Sequence, residues 1–139
     1  MTDSYIVFTC SREKLDPYVA FIYSKWLRSL RYGSEHFRLV DSGAFYHQEH
    51  RKIGKILEHD DAEIRLATLS DDLDVVLGFS VTEHDHLHYV YVHKDQRNLG
   101  IGKSLVPDDI KTFGNLTKLG QIVWQKSIPD LKFNPYRYL

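Results

Sequence analysis

A single cysteine in 139 residues, Cys10, excludes an intramolecular disulfide framework and any cysteine-based zinc site. It suits a reducing compartment. No apolar run approaches the length of a membrane span, and polar Thr2, Asp3 and Ser4 stand where a secretory leader would need a basic start and a long apolar stretch. The cytoplasm is the expected location. Net charge is scarce too: 18 Lys and Arg against 19 Asp and Glu leave −1 at pH 7, which demands no polyionic partner. With 42% hydrophobic and 27% charged residues the composition is that of an ordinary globular chain, and its length predicts one domain over 1–139.

What is present is concentrated in one stretch, Leu87 to Val106, LHYVYVHKDQRNLGIGKSLV. Its first part, Leu87 to Val92, is β-branched and aromatic and reads as a strand. In its second part, Gly100 and Gly102 leave the backbone uncovered at a helix start, with Arg97 and Lys103 on either flank. Free amides, an aligned helix dipole and flanking cations favour an anion, with a pyrophosphate as the natural guest. Two familiar phosphate loops fail here. The dinucleotide fingerprint G-x-G-x-x-G lacks its third glycine, and the Walker loop would need glycine where Arg97 stands, five residues before Gly102-Lys103-Ser104.

Elsewhere the pattern predicts a strand over Tyr5–Thr9 and a helix over Pro17–Tyr32, opened by Asp16-Pro17 and stopped by Gly33. The apolar stripe of that helix includes Trp26, read as a core residue. A less regular helix is expected over Ala44–Leu57, with His47 and His50 read as solvated. Strands follow at Glu63–Leu69 and Val75–Glu83, forming with Leu87–Val92 an antiparallel meander. Gly78, inside the middle strand, suggests a close backbone approach or a bulge. Pro107 should interrupt the helix after Gly102, with a restart at Ile110–Phe113. Gln121–Lys126, QIVWQK, reads as a strand parallel to the one ending at Val92. Charge is unevenly placed: seven Lys and Arg between Lys25 and Lys55 face only Glu35, Asp41 and Glu49, which reads as solvated helix faces or as a basic wall for an anionic substrate.

The pattern R-x-x-G-x-G after a hydrophobic strand resembles the acyl-CoA-binding motif of the GNAT superfamily of N-acyltransferases. The resemblance implies an α/β (α+β) fold with a mixed, mostly antiparallel central sheet, flanking helices and a shortened C-terminal part. It implies acetyl-CoA as acyl donor, with Leu99 to Lys103 as the pyrophosphate cradle and Val90 to Val92 as the edge that pairs with the pantetheine arm. The full set of expected cofactor contacts is Val90, Tyr91, Val92, Arg97, Asn98, Leu99, Gly100, Ile101, Gly102, Lys103 and Ser104.

Acetyl transfer to an amine requires a base for the amine, a polarised carbonyl and an acid for the leaving thiolate. By the two-residue period, positions 84, 86, 88, 90 and 92 share one strand face, which aligns His84, His86 and His88. His86 falls where some members of the superfamily carry a glutamate base, His88 lies one step nearer the cofactor, and Glu83 is the reserve. By resemblance, a backbone N–H near Tyr91 or Val92 polarises the carbonyl, and Tyr136 or Tyr138 supplies the acid. A metal is not required by this chemistry. The amine acceptor, whether a small molecule, a protein or a nucleic acid, is not specified by the residues. A homodimer, a nucleic-acid-modifying activity and a non-catalytic assembly role of the same fold are the further expectations.

Overall fold

The structure, a computed structural model, describes residues 4–97 and 100–137. Six strands form one sheet in chain order: β1 (Tyr5–Cys10), β2 (Ala62–Leu69), β3 (Asp72–Glu83), β4 (His86–Val92), β5 (Thr112–Phe113) and β6 (Lys132–Phe133). The first three pairings are antiparallel, while β4–β5 and β5–β6 are parallel. Helices α1 (Asp16–Gly33), α2 (Glu35–Leu39) and α3 (Ser42–Glu58) separate β1 from β2. Helix α4 (Ile101–Leu105) carries the crossover from β4 to β5, and α5 (Lys118–Ser127) connects β5 to β6. This is the mixed, mostly antiparallel sheet with flanking helices that the sequence predicts. Among the described residues no helix is long and apolar enough to cross a membrane.

Three apolar clusters hold the layers together. The largest presses the α1 stripe of Ile22, Trp26, Leu27 and Leu30, with Phe45, Ile53 and Ile56 of α3, onto Leu66, Phe79, Val81 and Tyr89. Trp26 is 1% exposed and its ring stacks on Tyr89 at 5.0 Å, so it is the core residue its position in the stripe implies. A second cluster puts Ile101 and Leu105 of α4 against Ala67 and Leu77, and a third gathers Leu87, Val106, Ile110, Phe113, Leu116, Trp124 and Leu131 in the C-terminal part.

At Gly78 the neighbouring strand leaves no room for a side chain. A Cβ built there would lie 2.5 Å from the Tyr91 carbonyl oxygen and 3.3 Å from Val92 Cα, both backbone atoms that cannot step aside. Gly78→Ala is therefore expected to destabilise the fold by about 1–3 kcal/mol, the usual cost of overpacking, and a thermal unfolding curve checks it. An unchanged midpoint would mean that β3 and β4 shift apart at little cost.

Two C-terminal expectations are corrected. Gln121–Lys126 belongs to helix α5, because the Thr117 side chain accepts a hydrogen bond from Gly120 N–H at 3.0 Å and so opens a helix at Lys118. The strand parallel to β4 is instead Thr112–Phe113, read from sequence as the end of a restarted helix. It pairs with His86–Leu87 and is anchored by Lys111 N–H on the Asp85 carbonyl at 2.8 Å. Pro107 does end α4, with Val106 as its last capped residue. The stretch between Ser34 and Ser42, which shows no clear period, forms the short helix α2.

Candidate active site

The site is organised by the separation of β4 from β5. Their pairing runs only from His86↔Thr112 to Leu87↔Phe113, closed by Gly114 N–H on the Leu87 carbonyl at 2.9 Å. Beyond Leu87 no described strand pairs with that edge of β4, so its main chain from His88 to Val92 is available to a guest. A cavity of about 330 Å³ opens there, lined by Tyr89, Val90, Tyr91 and Val92, by Arg97 and Gly102 at the glycine turn, and by Thr117, Gly120, Val123 and Trp124 of the α5 region. Such a volume lies at the small end of ligand pockets (roughly 300–1,000 Å³) and accommodates an extended arm rather than a whole dinucleotide.

The glycine turn has the form a phosphate group needs. Gly100, the N-cap of α4, has φ +85°, the left-handed conformation that favours glycine. A Cβ on Gly102 would enter the cleft, 3.5 Å from Trp124 Cζ2 and 3.7 Å from Val92 Cγ2. Arg97 donates from Nε to the Val92 carbonyl at 3.3 Å, which ties the turn to the end of β4. Lys103 and Ser104 are exposed on α4, and Ser104 Oγ donates back to the Gly100 carbonyl at 3.1 Å. Ile101 is buried against the sheet, so only its backbone faces the turn. Asn98 and Leu99 lie outside the described residues. Val90–Val92 thus offer main chain along the cleft, and Gly102 and Arg97 close its end beside the left-handed Gly100.

The predicted alignment of His84, His86, His88, Val90 and Val92 on one face is corrected by a β-bulge. Val81 pairs with Tyr89 but Thr82 with Leu87, so His88 is an extra residue in β4. The alternation changes there: Tyr89 and Tyr91 join the α1 face, while Val90 and Val92 pack toward α4. His84 belongs to the turn before β4, with φ 54° and a contact to Asp61 at 3.3 Å. His86 and His88 remain neighbours, their rings 4.7 Å apart. Among the described residues no group of three or more His, Cys, Asp and Glu side chains is placed to hold a metal ion.

His88, Glu83 and His59 form one hydrogen-bonded unit. Glu83 Oε1 receives His88 Nε2 and His59 Nδ1, each at 2.9 Å, with Glu83 and His88 both almost fully buried. Burial would raise the Glu83 carboxyl, but the hydrogen bonds from His59 and His88 outweigh it and hold it below the usual range. An ionised carboxylate only accepts, so His88 must carry a proton on Nε2, which leaves Nδ1 as its basic atom. Burial keeps the His88 imidazole below its ordinary pKa despite that bond. His88 and His59 open onto a second, larger cavity of about 760 Å³, walled by α3 through Glu49, Arg51, Lys52 and Lys55 and by Gly114, Asn115 and Pro135. The two cavities draw on adjacent β4 residues, His88 and Tyr89.

His86 is placed differently. Its Nδ1 is 2.7 Å from Thr112 Oγ1, its Nε2 lies where a Cβ on Gly114 would be 3.0 Å away, and it lines neither cavity. Burial, then the neighbouring His88 and Arg137, lower its pKa from 6.5 to about 4. Between these two values the unfolded chain binds a proton that the folded chain refuses, so stability is intact above pH 6.5 and drains as pH falls toward 4. The full swing is about 3 kcal/mol at 1.36 kcal/mol per unit. Denaturant unfolding at pH 7 and pH 4 should show it, and the difference should shrink in His86→Asn; an equal slope in that variant would assign it to another group. Tyr136 is 75% exposed and lines neither cavity, and the adjacent Arg137 ties the segment down through Asp85 and, at 2.9 Å, Thr112 Oγ1.

Reading the sequence alone passed over two residues of this site. His59 caps the C-terminus of α3, and its partnership with Glu83 spans 24 positions, which no local pattern reveals. Glu49 did leave a signal: it occupies the apolar stripe of α3, between Phe45 and Ile53.

The mixed sheet whose parallel strands part beside a glycine turn is a fold shared with a solved acetyl transferase structure. In comparison with solved structures, the chain is similar to a protein of Pyrococcus furiosus described provisionally as an acetyl transferase, at 15% identity and a TM-score of 0.57, covering 94% of this chain and 80% of that one. It is also similar to a GNAT family acetyltransferase of Staphylococcus aureus (14% identity, TM-score 0.44, 94% and 86% covered). A third is the ribosomal-protein-alanine N-acetyltransferase of Brucella melitensis (20%, 0.44, 73% and 66%). Only the first is close enough in shape to carry weight, and at such identity it speaks for the fold. No protein-family model and no curated protein sequence matches the chain.

Proposed function

We propose that the chain is an N-acetyltransferase that passes the acetyl group of acetyl-CoA to a primary amine by direct attack. The observation that carries this reading is the parting of β4 from β5 after Leu87, which sets an unpaired strand edge and a left-handed glycine turn on one cleft, with a carboxylate-held histidine next along β4 on the adjoining cavity. Acetyl-CoA supplies the acetyl group as a thioester. Val90–Val92 bind its arm through their main chain, and a backbone N–H near Tyr91 or Val92 polarises the carbonyl. Gly100, Ile101, Gly102 and Lys103, with Arg97 and Ser104, hold the pyrophosphate, the last at the rim.

His88 takes the proton of the attacking amine on Nδ1, and Glu83 fixes its tautomer and steadies the imidazolium that forms. His86, packed between Thr112 and Gly114, holds the β4–β5 junction. Tyr136, turned to solvent, is not needed, and the thiolate takes its proton from water. The single cysteine, Cys10, is buried and unbridged, which suits the reducing cytoplasm.

Calorimetric titration with acetyl-CoA tests the reading. Binding at micromolar strength is expected, and absence of binding by both acetyl-CoA and CoA would retire the enzyme and leave a non-catalytic assembly module of the same fold.

A further inference from the structure

The cavity over α3 contains a charge where the helix should present only apolar side chains. The buried stripe of α3 is Phe45, Glu49, Ile53 and Ile56, and Glu49 is just 8% exposed. Its Oε2 is buried and has no hydrogen-bond partner among the described residues. The nearest cation, Lys52 Nζ, stands 3.8 Å away, beyond hydrogen-bonding reach, and is engaged by the side-chain oxygen of Asn115 once that amide is turned so that its nitrogen donates to the Gly114 carbonyl. A carboxylate withdrawn from water without a donor is costly, and such groups persist where something else supplies the donor. Glu49 lines the same cavity as His88, so a positively charged hydrogen-bond donor arriving there is within reach of both side chains.

The outer part of the wall has the opposite character. Arg51 and Lys55 lie four residues apart on α3, line the cavity and are exposed. Like charges at that spacing repel by a few tenths of a kcal/mol, a cost that a bound anion reverses. Acid inside and base outside, on one wall of a cavity of about 760 Å³, describe a guest with both signs of charge.

We propose that this cavity binds a zwitterionic amine, with its ammonium held by Glu49 beside His88 and its carboxylate or phosphate held by Arg51 and Lys55. The proposal deepens the acetyltransferase reading by naming the class of acceptor, and it rests on that reading for the fate of the amine but not for binding. A free amino-acid-like molecule and the N-terminus of an acidic peptide share this chemistry.

The test is calorimetric titration of the full chain, without acetyl-CoA, with ε-aminocaproate, hexylamine, caproate and the peptide Ala-Asp-Glu bearing a free amine. The zwitterion should bind at least about tenfold more tightly than either single-charge probe, since each charge-assisted contact contributes on the order of a factor of ten. The isosteric Glu49→Gln variant should lose that advantage for hexylamine and ε-aminocaproate while leaving caproate unchanged. Arg51→Ala combined with Lys55→Ala, both on the exposed rim where folding is not at stake, should do the reverse. Tighter binding of the peptide than of ε-aminocaproate assigns the site to a protein N-terminus, and the opposite order to a small molecule. Equal binding of all probes, no binding of any, or unchanged amine binding in Glu49→Gln overturns the proposal. The two readings fail separately: acetyl-CoA binding without zwitterion binding sinks only the acceptor class, and the converse sinks only the acetyltransferase.

Discussion

Gly100→Glu is expected to weaken acetyl-CoA binding by about 100-fold or more, because two charge-assisted hydrogen bonds to a pyrophosphate, at 1.5–3 kcal/mol each, would be lost together. The variant acts twice. A side chain at φ +85° costs about 1–2 kcal/mol of conformational strain, which loosens the first turn of α4, and the added carboxylate repels the anion that the turn would hold. Gly100→Asn separates these causes, since asparagine tolerates the left-handed region and brings no charge; it should lose far less affinity. Gly102→Ala adds only a methyl at ordinary contact distance from Trp124 and Val92 and should cost a few-fold at most. Calorimetry on the three variants, with circular dichroism to confirm that each is folded, decides the matter. Undiminished acetyl-CoA affinity in a folded Gly100→Glu protein would move the phosphate site elsewhere.

The strand and the helix start around the glycine pair were readable because their signals are local. Two glycines one residue apart, after a β-branched strand and beside Arg97 and Lys103, carry their meaning within a dozen positions, and β4 and α4 stand where that pattern puts them. The meander was readable for a similar reason, since β2, β3 and β4 are joined by short turns and their apolar residues alternate. What failed depended on contacts that periodicity does not encode. Gln121–Lys126 is a short apolar run compatible with either period, and the choice of helix rests on a cap formed by Thr117, outside the run. Thr112–Phe113 is a strand only because Asp85 and His86 are there to pair with it. The face shared by His86 and His88 was deduced from an unbroken pleat; the bulge at His88 keeps the two rings together but turns Val90 and Val92 to the other side. The hydrogen-bonded unit around His88 was thus half legible. Glu83, His86 and His88 were all named, but their ranking needed the cavities and the His59 contact.

That ranking leads to the second large effect. His88→Ala is expected to reduce amine acetylation by roughly 10²–10⁴-fold, the range that a positioned general base contributes, while acetyl-CoA affinity stays within a few-fold because His88 does not line the cofactor cleft. Glu83→Gln should fall between wild type and His88→Ala: the amide can still receive the Nε2 proton but no longer stabilises the imidazolium. Stability must be read alongside, since Glu83 also anchors His59. The pH dependence provides an independent check. Because burial holds His88 below its ordinary pKa, it stays neutral and basic as the solution is acidified past 6.5, and the acid limb of kcat/KM should fall only below that value. Removing Glu83's charge withdraws the interaction that favours the imidazolium, so in Glu83→Gln the acid limb should move to still lower pH. A limb that stays in place in Glu83→Gln, together with a His88→Ala enzyme of near-normal rate, would take the base away from this pair and give it to the amine's own equilibrium with solvent.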